Sequence, residues 1–238
     1  MKVLIVFVIL LVVLIAILVF PLIVKLLLAR KFLATPRSDE AVYLTFDDGP
    51  SPESTPQVLE HLAASRARAT FFVVGKKVQE HPELVAAILE QGHEIGSHGF
   101  AHLHPWRVSP LASLRDLRRG IAELAEHSVP GSGYFRPPYG KFGLLSAAWV
   151  LATGMRSAFW SVDPRDYAAG TAEEVVSCVL ERVRGGSVIL LHDGFRQDGL
   201  SPDQAGEVVG KLLAELSARD YRFATLSEDF GQGGVAGS

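Results

Sequence analysis

The feature of this sequence that most constrains its fold is the regular alternation of short apolar runs with amphipathic segments between residues 40 and 230. Amphipathic segments predict helices, several of which begin at a capping residue followed by proline, as at Ser109-Pro110 and Ser201-Pro202. Strand–helix alternation favours a parallel α/β fold, and about seven strands favour a barrel or distorted barrel over an open sheet. The apolar runs predict strands near residues 41–46, 69–74, 93–97, 133–136, 155–161, 187–191 and 222–226.

The N-terminal segment has a different character, because Val3 to Val24 contains no charged residue. As a helix this run is about 33 Å long, which is enough to cross a hydrocarbon core of about 30 Å. The alternative is a cleaved signal peptide, but its apolar region would be shorter, about 7–15 residues, and Ala29-Arg30-Lys31 is a poor cleavage site. We therefore predict a single-pass membrane protein with an anchor over residues 1–24.

The remaining chain divides into three parts by composition. Residues 25–39 form a short, basic, proline-containing segment that we predict to be a linker, residues 40–230 form the globular domain, and the glycine-rich residues 231–238 form a disordered tail. The basic residues that follow the anchor would keep the domain in the cytoplasm if the positive-inside rule were taken literally.

Composition excludes several other functions. A net charge of −3 with mixed signs gives no basic patch, so we expect no nucleic-acid partner, and no obligate protein partner is evident. Cys178 is the only cysteine, which excludes an intramolecular disulfide and a cysteine metal cluster.

Five polar residues lie at or just after the ends of predicted strands, and in a barrel of this kind strand ends meet at one rim. They are Asp47, His98, Arg136, Asp163 and His192. Asp47 is followed by Asp48, and two adjacent carboxylates at a strand end repel each other unless a cation or a proton lies between them. The alternative is an Asp-Gly-Pro turn with solvated acids.

His98 and His102 are four residues apart, a spacing that on a helix or tight turn points both imidazoles the same way. With one carboxylate they would form a metal site with open positions. Such a set suits zinc, cobalt, manganese or iron. The alternative is that both are surface histidines, with His104 a third of the same kind. The residues alone do not indicate which of Asp47 and Asp48 would bind the ion and which would act as a base.

Two further segments place polar groups near this rim. Arg136 precedes Pro137-Pro138, which stiffens the backbone and suits a fixed cation, although a solvated arginine on a rigid loop is the alternative. His192 ends a buried apolar run and is a candidate general acid or a structural histidine. Asp163 and Asp166 are acids that would orient Arg136 or His192, or simple turn residues.

Taken together, five segments of the chain resemble the ordered motifs of the polysaccharide deacetylases, the family with the NodB homology domain that is also carbohydrate esterase family four. The resemblance extends over residues 41–226. The segments are Thr45-Phe46-Asp47-Asp48-Gly49-Pro50, Ser97-His98-Gly99-Phe100-Ala101-His102, Arg136-Pro137-Pro138-Tyr139-Gly140, Asp163-Pro164-Arg165-Asp166-Tyr167 and Leu190-Leu191-His192.

This resemblance implies a distorted (β/α) barrel and one divalent metal ion, usually zinc, with cobalt or manganese as alternatives. The implied ligands are Asp48, His98 and His102. By the same resemblance Asp47 is the general base and His192 is the general acid.

The resemblance also implies roles for the surrounding residues. Arg136 would position Asp47, the Tyr139 backbone N–H would bind the oxyanion, Asp166 would orient His192, and Leu190 would line the acetyl pocket. One motif departs from the family pattern: it commonly ends in Asp-Trp, and here it ends in Asp166-Tyr167. Tyr167 keeps an aromatic wall for the sugar while adding a hydroxyl group.

The function implied is a membrane-anchored, metal-dependent N-deacetylase of an acetylated envelope polysaccharide, with peptidoglycan ahead of chitin-type oligomers. That substrate class favours the extracytoplasmic side, against the charge pattern. Alternatives with the same site are an O-acetyl esterase of xylan-like chains and a deacylase of a lipid-linked sugar. From other classes, an iron(II) oxygenase and a carbohydrate-binding protein without turnover are the alternatives.

Overall fold

The computed structural model describes residues 1–35, 37–126, 131–194 and 200–230. The strands are β1 Ala41–Asp47, β2 Thr70–Val73, β3 Glu94–Ser97, β4 Gly131–Phe135, β5 Arg156–Ser157, β6 Val188–His192 and β7 Arg222–Phe223. The helices are α1 Lys2–Ala34, α2 Thr55–Ala64, α3 Gly75–Glu80, α4 Pro82–Glu90, α5 Pro110–Glu126, α6 Leu144–Thr153, α7 Ala172–Arg182, α8 Pro202–Ser217 and α9 Leu226–Phe230, and a short 3-10 turn spans Pro138–Gly140.

All strand pairs are parallel, in the order β5-β4-β3-β2-β1-β6, and β7 pairs with the start of β1. The chain beyond β5 returns toward the opposite edge, where Val162 bridges to Ile189 of β6. The sheet therefore curls into a distorted (β/α) barrel, which confirms the predicted fold class. The strands β5 and β7 are shorter than predicted, with two residues each.

The strand β1 lies at the centre of this sheet, and all seven of its residues are buried. Its side chains alternate between two faces, as the period of a strand requires. Val42, Leu44 and Phe46 belong to the apolar cluster that includes residues of α2, α7 and α8. Thr45 and Asp47 lie on the other face, which points into the barrel and carries the polar groups described below.

The helix α1 continues through residues 25–34, the segment that we expected to be a linker. Val24 and Phe32 are buried and Leu28 is partly buried, at intervals of four residues that place all three on one helical face. The Phe32 ring lies 6.4 Å from that of Tyr134 and 6.3 Å from that of Phe159. The last third of α1 is thus packed against the domain.

By length and composition α1 is a candidate membrane span, and a signal sequence near an N-terminus meets the same criteria. The residues that we predicted to form a disordered tail, 231–238, lie outside the described residues.

Candidate active site

The carboxyl ends of β1, β3, β4 and β6 bring the predicted polar residues to one rim of the barrel. Asp47 ends β1 and is in register with His192, which ends β6. His98 follows β3, and Arg136 follows β4. A pocket of about 270 Å³ opens between them. Its lining includes the predicted residues Asp47, Asp48, His98, His102, Tyr139, Tyr167, Leu190 and His192. Arg136 and Asp166 are buried behind this lining.

Asp48, His98 and His102 form a group in which the potential ligand atoms all lie within 4.8 Å of one another. The Asp48 Oδ1 atom is 3.4 Å from His98 Nε2 and 3.1 Å from His102 Nε2. Two imidazoles and one carboxylate are a donor set that suits a divalent cation with open positions for water or substrate. Asp48 and His102 both have positive φ angles, 71° and 51°, which non-glycine residues rarely adopt.

Asp48 has the charge state that a metal ligand requires. Burial alone would raise the pKa of Asp48, but the hydrogen bond from His98 and the nearby His102 hold that pKa well below its ordinary value. The Asp48 carboxyl is therefore ionised and available as a ligand.

A hydrogen bond to a backbone carbonyl fixes the orientation of the His98 ring. Its Nδ1 atom lies 2.8 Å from the Arg136 carbonyl oxygen, which can only accept a hydrogen bond, so Nδ1 carries the proton. The Nε2 atom consequently faces Asp48, to which it donates while the ring is charged, and it presents a lone pair to a cation once that proton is lost. Metal-binding histidines commonly have this arrangement, because the second hydrogen bond sets the tautomer and the ring orientation.

Asp47 has a different partner from its neighbour. The fully buried Arg136 donates from Nη1 to Asp47 Oδ1 at 2.7 Å and to Thr45 Oγ1 at 2.8 Å. Its Nη2 atom donates to the Phe159 carbonyl at 3.2 Å. The other carboxylate oxygen, Asp47 Oδ2, lies 3.6 Å from His98 Nε2. Asp47 is thus held by arginine on one side and faces the possible metal site on the other.

At the end of β6, next to Asp47, Asp166 holds His192 at two points. Asp166 Oδ1 is 2.7 Å from His192 Nδ1, and Asp166 Oδ2 accepts from the His192 backbone N–H, also at 2.7 Å. Burial would lower the pKa of His192, but the Asp166 carboxylate outweighs it and raises that pKa to about 9. The imidazole is therefore protonated at neutral pH, with Nε2 as its second donor.

The three predicted substrate-contacting residues also line this pocket. The Tyr139 ring packs between His102 and His104, with 4.6 Å between ring centres in each case. Tyr167 packs edge-on against His192 at 5.3 Å. Leu190 lies on β6, two residues before His192 and on the same face of the strand.

The sequence reasoning missed three residues of this region. Lys141 and Trp160 line the pocket, and Asp193 lies buried behind it. Asp193 Oδ2 accepts from Thr55 Oγ1 at 2.6 Å, and a Cβ atom on Gly49 would lie 2.3 Å from the Asp193 carboxylate oxygens. Burial raises the pKa of Asp193 to about 6. The only available signal was its position next to His192.

Comparison with known proteins gives consistent matches. The family described as polysaccharide deacetylase matches residues 34–158. A peptidoglycan-N-acetylglucosamine deacetylase of Bacillus cereus is 37% identical over 195 residues, covering 81% of this chain and 89% of that protein. A chitooligosaccharide deacetylase of Bradyrhizobium is 36% identical over 199 residues, covering 79% of this chain and 90% of that protein.

The fold also matches solved structures. The crystal structure of the Bc1960 peptidoglycan N-acetylglucosamine deacetylase, in complex with a hydroxamate-type benzamide, superimposes with a TM-score of 0.74 at 28% identity. The match covers 84% of this chain and 93% of that one.

Proposed function

The chain belongs to the polysaccharide deacetylase family and is a hydrolase of N-acetyl amide bonds, and from that premise we propose that it deacetylates amino-sugar units of a cell-envelope polysaccharide. Peptidoglycan is the favoured substrate and chitin-type oligomers come second, because proteins named for each of these substrates match most of the chain. The helical α/β fold argues against the iron(II) oxygenase alternative, which typically uses a double-sheet β fold.

The observation that carries this proposal is the meeting of Asp48, His98 and His102 in one pocket with Asp47 and His192. We propose that the first three hold one divalent ion, with zinc favoured and cobalt or manganese as alternatives. When bound, such an ion polarises the acetyl carbonyl and makes water more acidic.

The chain's own residues would then move the protons. Asp47 would accept a proton from the attacking water, and the hydrogen bond from Arg136 keeps its carboxylate oriented for that task. An amide nitrogen leaves poorly without a proton, and His192 would donate one from Nε2 because Asp166 already occupies Nδ1.

The remaining proposed roles concern the substrate. The Tyr139 backbone N–H would donate to the developing oxyanion, Leu190 would contact the acetyl methyl group, and Tyr167 would support the sugar ring. The pocket lining is compatible with all three roles. We propose that the domain lies on the extracytoplasmic side, where a wall polysaccharide would be found.

The test is acetate release by the purified full-length chain loaded with zinc, cobalt or manganese. We expect release from peptidoglycan or chitooligomers and little from acetylated xylan. Asp47→Asn and His98→Ala should lower the rate by about 100-fold or more in a folded protein. The matched control for His98 is His104→Ala, which should retain the bound ion because His104 lies outside the ligand group. Failure to release an acyl group from any of these substrates would overturn the proposal.

A further inference from the structure

The direction in which α1 leaves the domain follows from its contacts. Just after its C-terminal end, Arg37 donates to the Gly186 carbonyl, which precedes β6 and lies at the rim where the strands begin. Nine residues before that end, burial and the nearby Lys141 ammonium, which lines the catalytic pocket, lower the pKa of Lys25. The helix therefore runs from the catalytic rim to the opposite rim. Phe20, Pro21 and Val24 still pack against the domain, and the exposed residues before Phe20 continue outward beyond the catalytic rim.

The length of that outward segment sets the depth of the pocket relative to a bilayer. The exposed run from Val3 to Val19 spans about 26 Å as a helix, close to the roughly 30 Å of a hydrocarbon core. Lys25 then falls in the headgroup layer, and the mouth of the pocket lies beside it.

The catalytic rim near α1 has a surface suited to this position, which we call the rim patch and define as Lys25, Trp106, Arg107, Leu111, Lys141 and Leu145. Trp106, Leu111 and Leu145 are 60%, 45% and 38% exposed. The Trp106 indole donates to the Phe142 carbonyl at 3.0 Å, and the Lys141 ammonium lies 4.7 Å from the Trp106 ring centre.

The residues of the rim patch are brought together because the helices that carry them pack against one another. Leu111 and Leu145 are the second residues of α5 and α6, which pack against each other, and α6 packs against α1. Within the described part of the chain, none of the three cations forms an ion pair with an acid. Exposed tryptophan and leucine beside unpaired lysine and arginine are the composition of a surface that binds anionic lipid headgroups.

We propose that the rim patch docks on the headgroup layer of the bilayer that α1 spans, so that the pocket opens toward the membrane. The preferred substrate would then be amino-sugar units of the envelope polysaccharide that are attached to a lipid in that membrane, and the same sugars free in solution would be hydrolysed more slowly. This inference rests on the proposed deacetylase function. A lipid surface is favoured over a protein partner because the patch is continuous with the apolar helix.

The position of the patch is tested by fluorescence of the full chain in vesicles of phosphatidylcholine and phosphatidylglycerol. Trp149→Phe with Trp160→Phe leaves Trp106 as the only tryptophan of the three. We expect brominated lipids to quench Trp106 emission and acrylamide to have little effect. The control removes all three tryptophans and adds Ala218→Trp beyond α8 at the opposite rim, where only acrylamide should quench. Quenching of Trp106 by acrylamide alone would overturn the proposal.

The substrate preference is tested with one acetylated chitooligosaccharide, supplied free or attached to a lipid in the same vesicles. We expect the attached form to have a kcat/KM higher by about tenfold or more, because tethering raises the effective concentration. Trp106→Ser, Arg107→Glu and Leu111→Ser together should remove the preference and leave the rate on the free sugar unchanged.

The matched control is Leu151→Ser with Arg219→Glu, two exposed positions outside the rim patch, which should keep the preference. Equal rates on the two forms, with Trp106 in solvent, would overturn the docking inference while the deacetylase function stands. The absence of acetate from both forms would instead contradict the proposed function.

Discussion

At the residue scale, the adjacent acids Asp47 and Asp48 cannot be distinguished from the sequence, yet their surroundings differ. Asp48 groups with two imidazoles, and Asp47 receives a hydrogen bond from a buried arginine. The difference arises because consecutive residues at a strand end point in different directions, and Asp48 has already turned into a left-handed conformation with a φ of 71°. These partners support Asp48 as the ligand and Asp47 as the base.

The pair of Asp166 and His192 gives a prediction about pH. The Asp166 carboxylate raises the pKa of His192 to about 9, so His192 is protonated below that pH. As the pH rises through about 9, His192 loses the proton that it would donate. Asp166→Asn removes the main raising cause. We therefore expect the alkaline limb of the kcat profile to move to lower pH by about one unit or more, measured by acetate release from pH 5 to 10.

The matched control for this change is Asp220→Asn, an exposed turn residue whose positive φ of 62° asparagine also tolerates. It should leave the profile unchanged. An unshifted alkaline limb in Asp166→Asn would contradict the role of His192 as proton donor.

At the element scale, the positions of most strands follow from their apolar runs, but the extent of α1 does not. Lys25, Arg30 and Lys31 suggested a basic linker, and the spacing of Val24, Leu28 and Phe32 was the opposing signal. The order in which the strands pair could not be predicted from the sequence either, because nothing in the run 188–192 indicates that β6 lies beside β1. Lys141 and Trp160 were missed for the same reason, since only the curled sheet brings them to the pocket.

The packing of α1 can be tested by Phe32→Ala. This ring is 6% exposed and contacts two other rings, so its removal leaves a cavity. We expect the free energy of unfolding to fall by about 3 kcal/mol or more, measured by denaturant titration of the full chain in detergent.

The corresponding control is Leu27→Ala, at a position of the same helix that is 59% exposed. Its effect should stay within about 0.5 kcal/mol. Similar stability of the two variants would show that the end of α1 does not pack on the domain.

Gly120 of α5 packs against the loop that carries His98 and His102. A Cβ atom there would lie 2.3 Å from the Gly99 carbonyl carbon, next to His98 in sequence. Gly120→Ala should displace this loop, cost about 1–3 kcal/mol and weaken zinc binding, which competition with a chelating dye would measure.

Gly210→Ala is the matched control, because it is also a helix glycine but its new Cβ atom would meet only the His61 side chain, at 2.9 Å. Zinc affinity should be unchanged in that variant. Equal zinc affinity in Gly120→Ala would contradict a supporting role for α5.

At the scale of the whole molecule, the possible metal ligands join distant parts of the chain, since Asp48 follows β1 and the histidines follow β3. An ion that binds only the folded state stabilises it by about 2.7 kcal/mol at 100 times its Kd. For a chain of this size we expect removal of the ion by a chelator to lower Tm by about 5–10 °C.

The reference for that measurement is His98→Ala, whose Tm should not respond to the chelator. If the chelator also left the Tm of the wild-type protein unchanged, no ion would bind to this group.

The central position of β1 also has a consequence for biosynthesis. Thr45 pairs with Leu190, and Val42 pairs with Phe223 close to the last helix. A nascent chain therefore emerges from the ribosome with its first strand lacking both of these neighbours. The barrel closes, and His192 meets Asp47, only when nearly the whole polypeptide has left the ribosome.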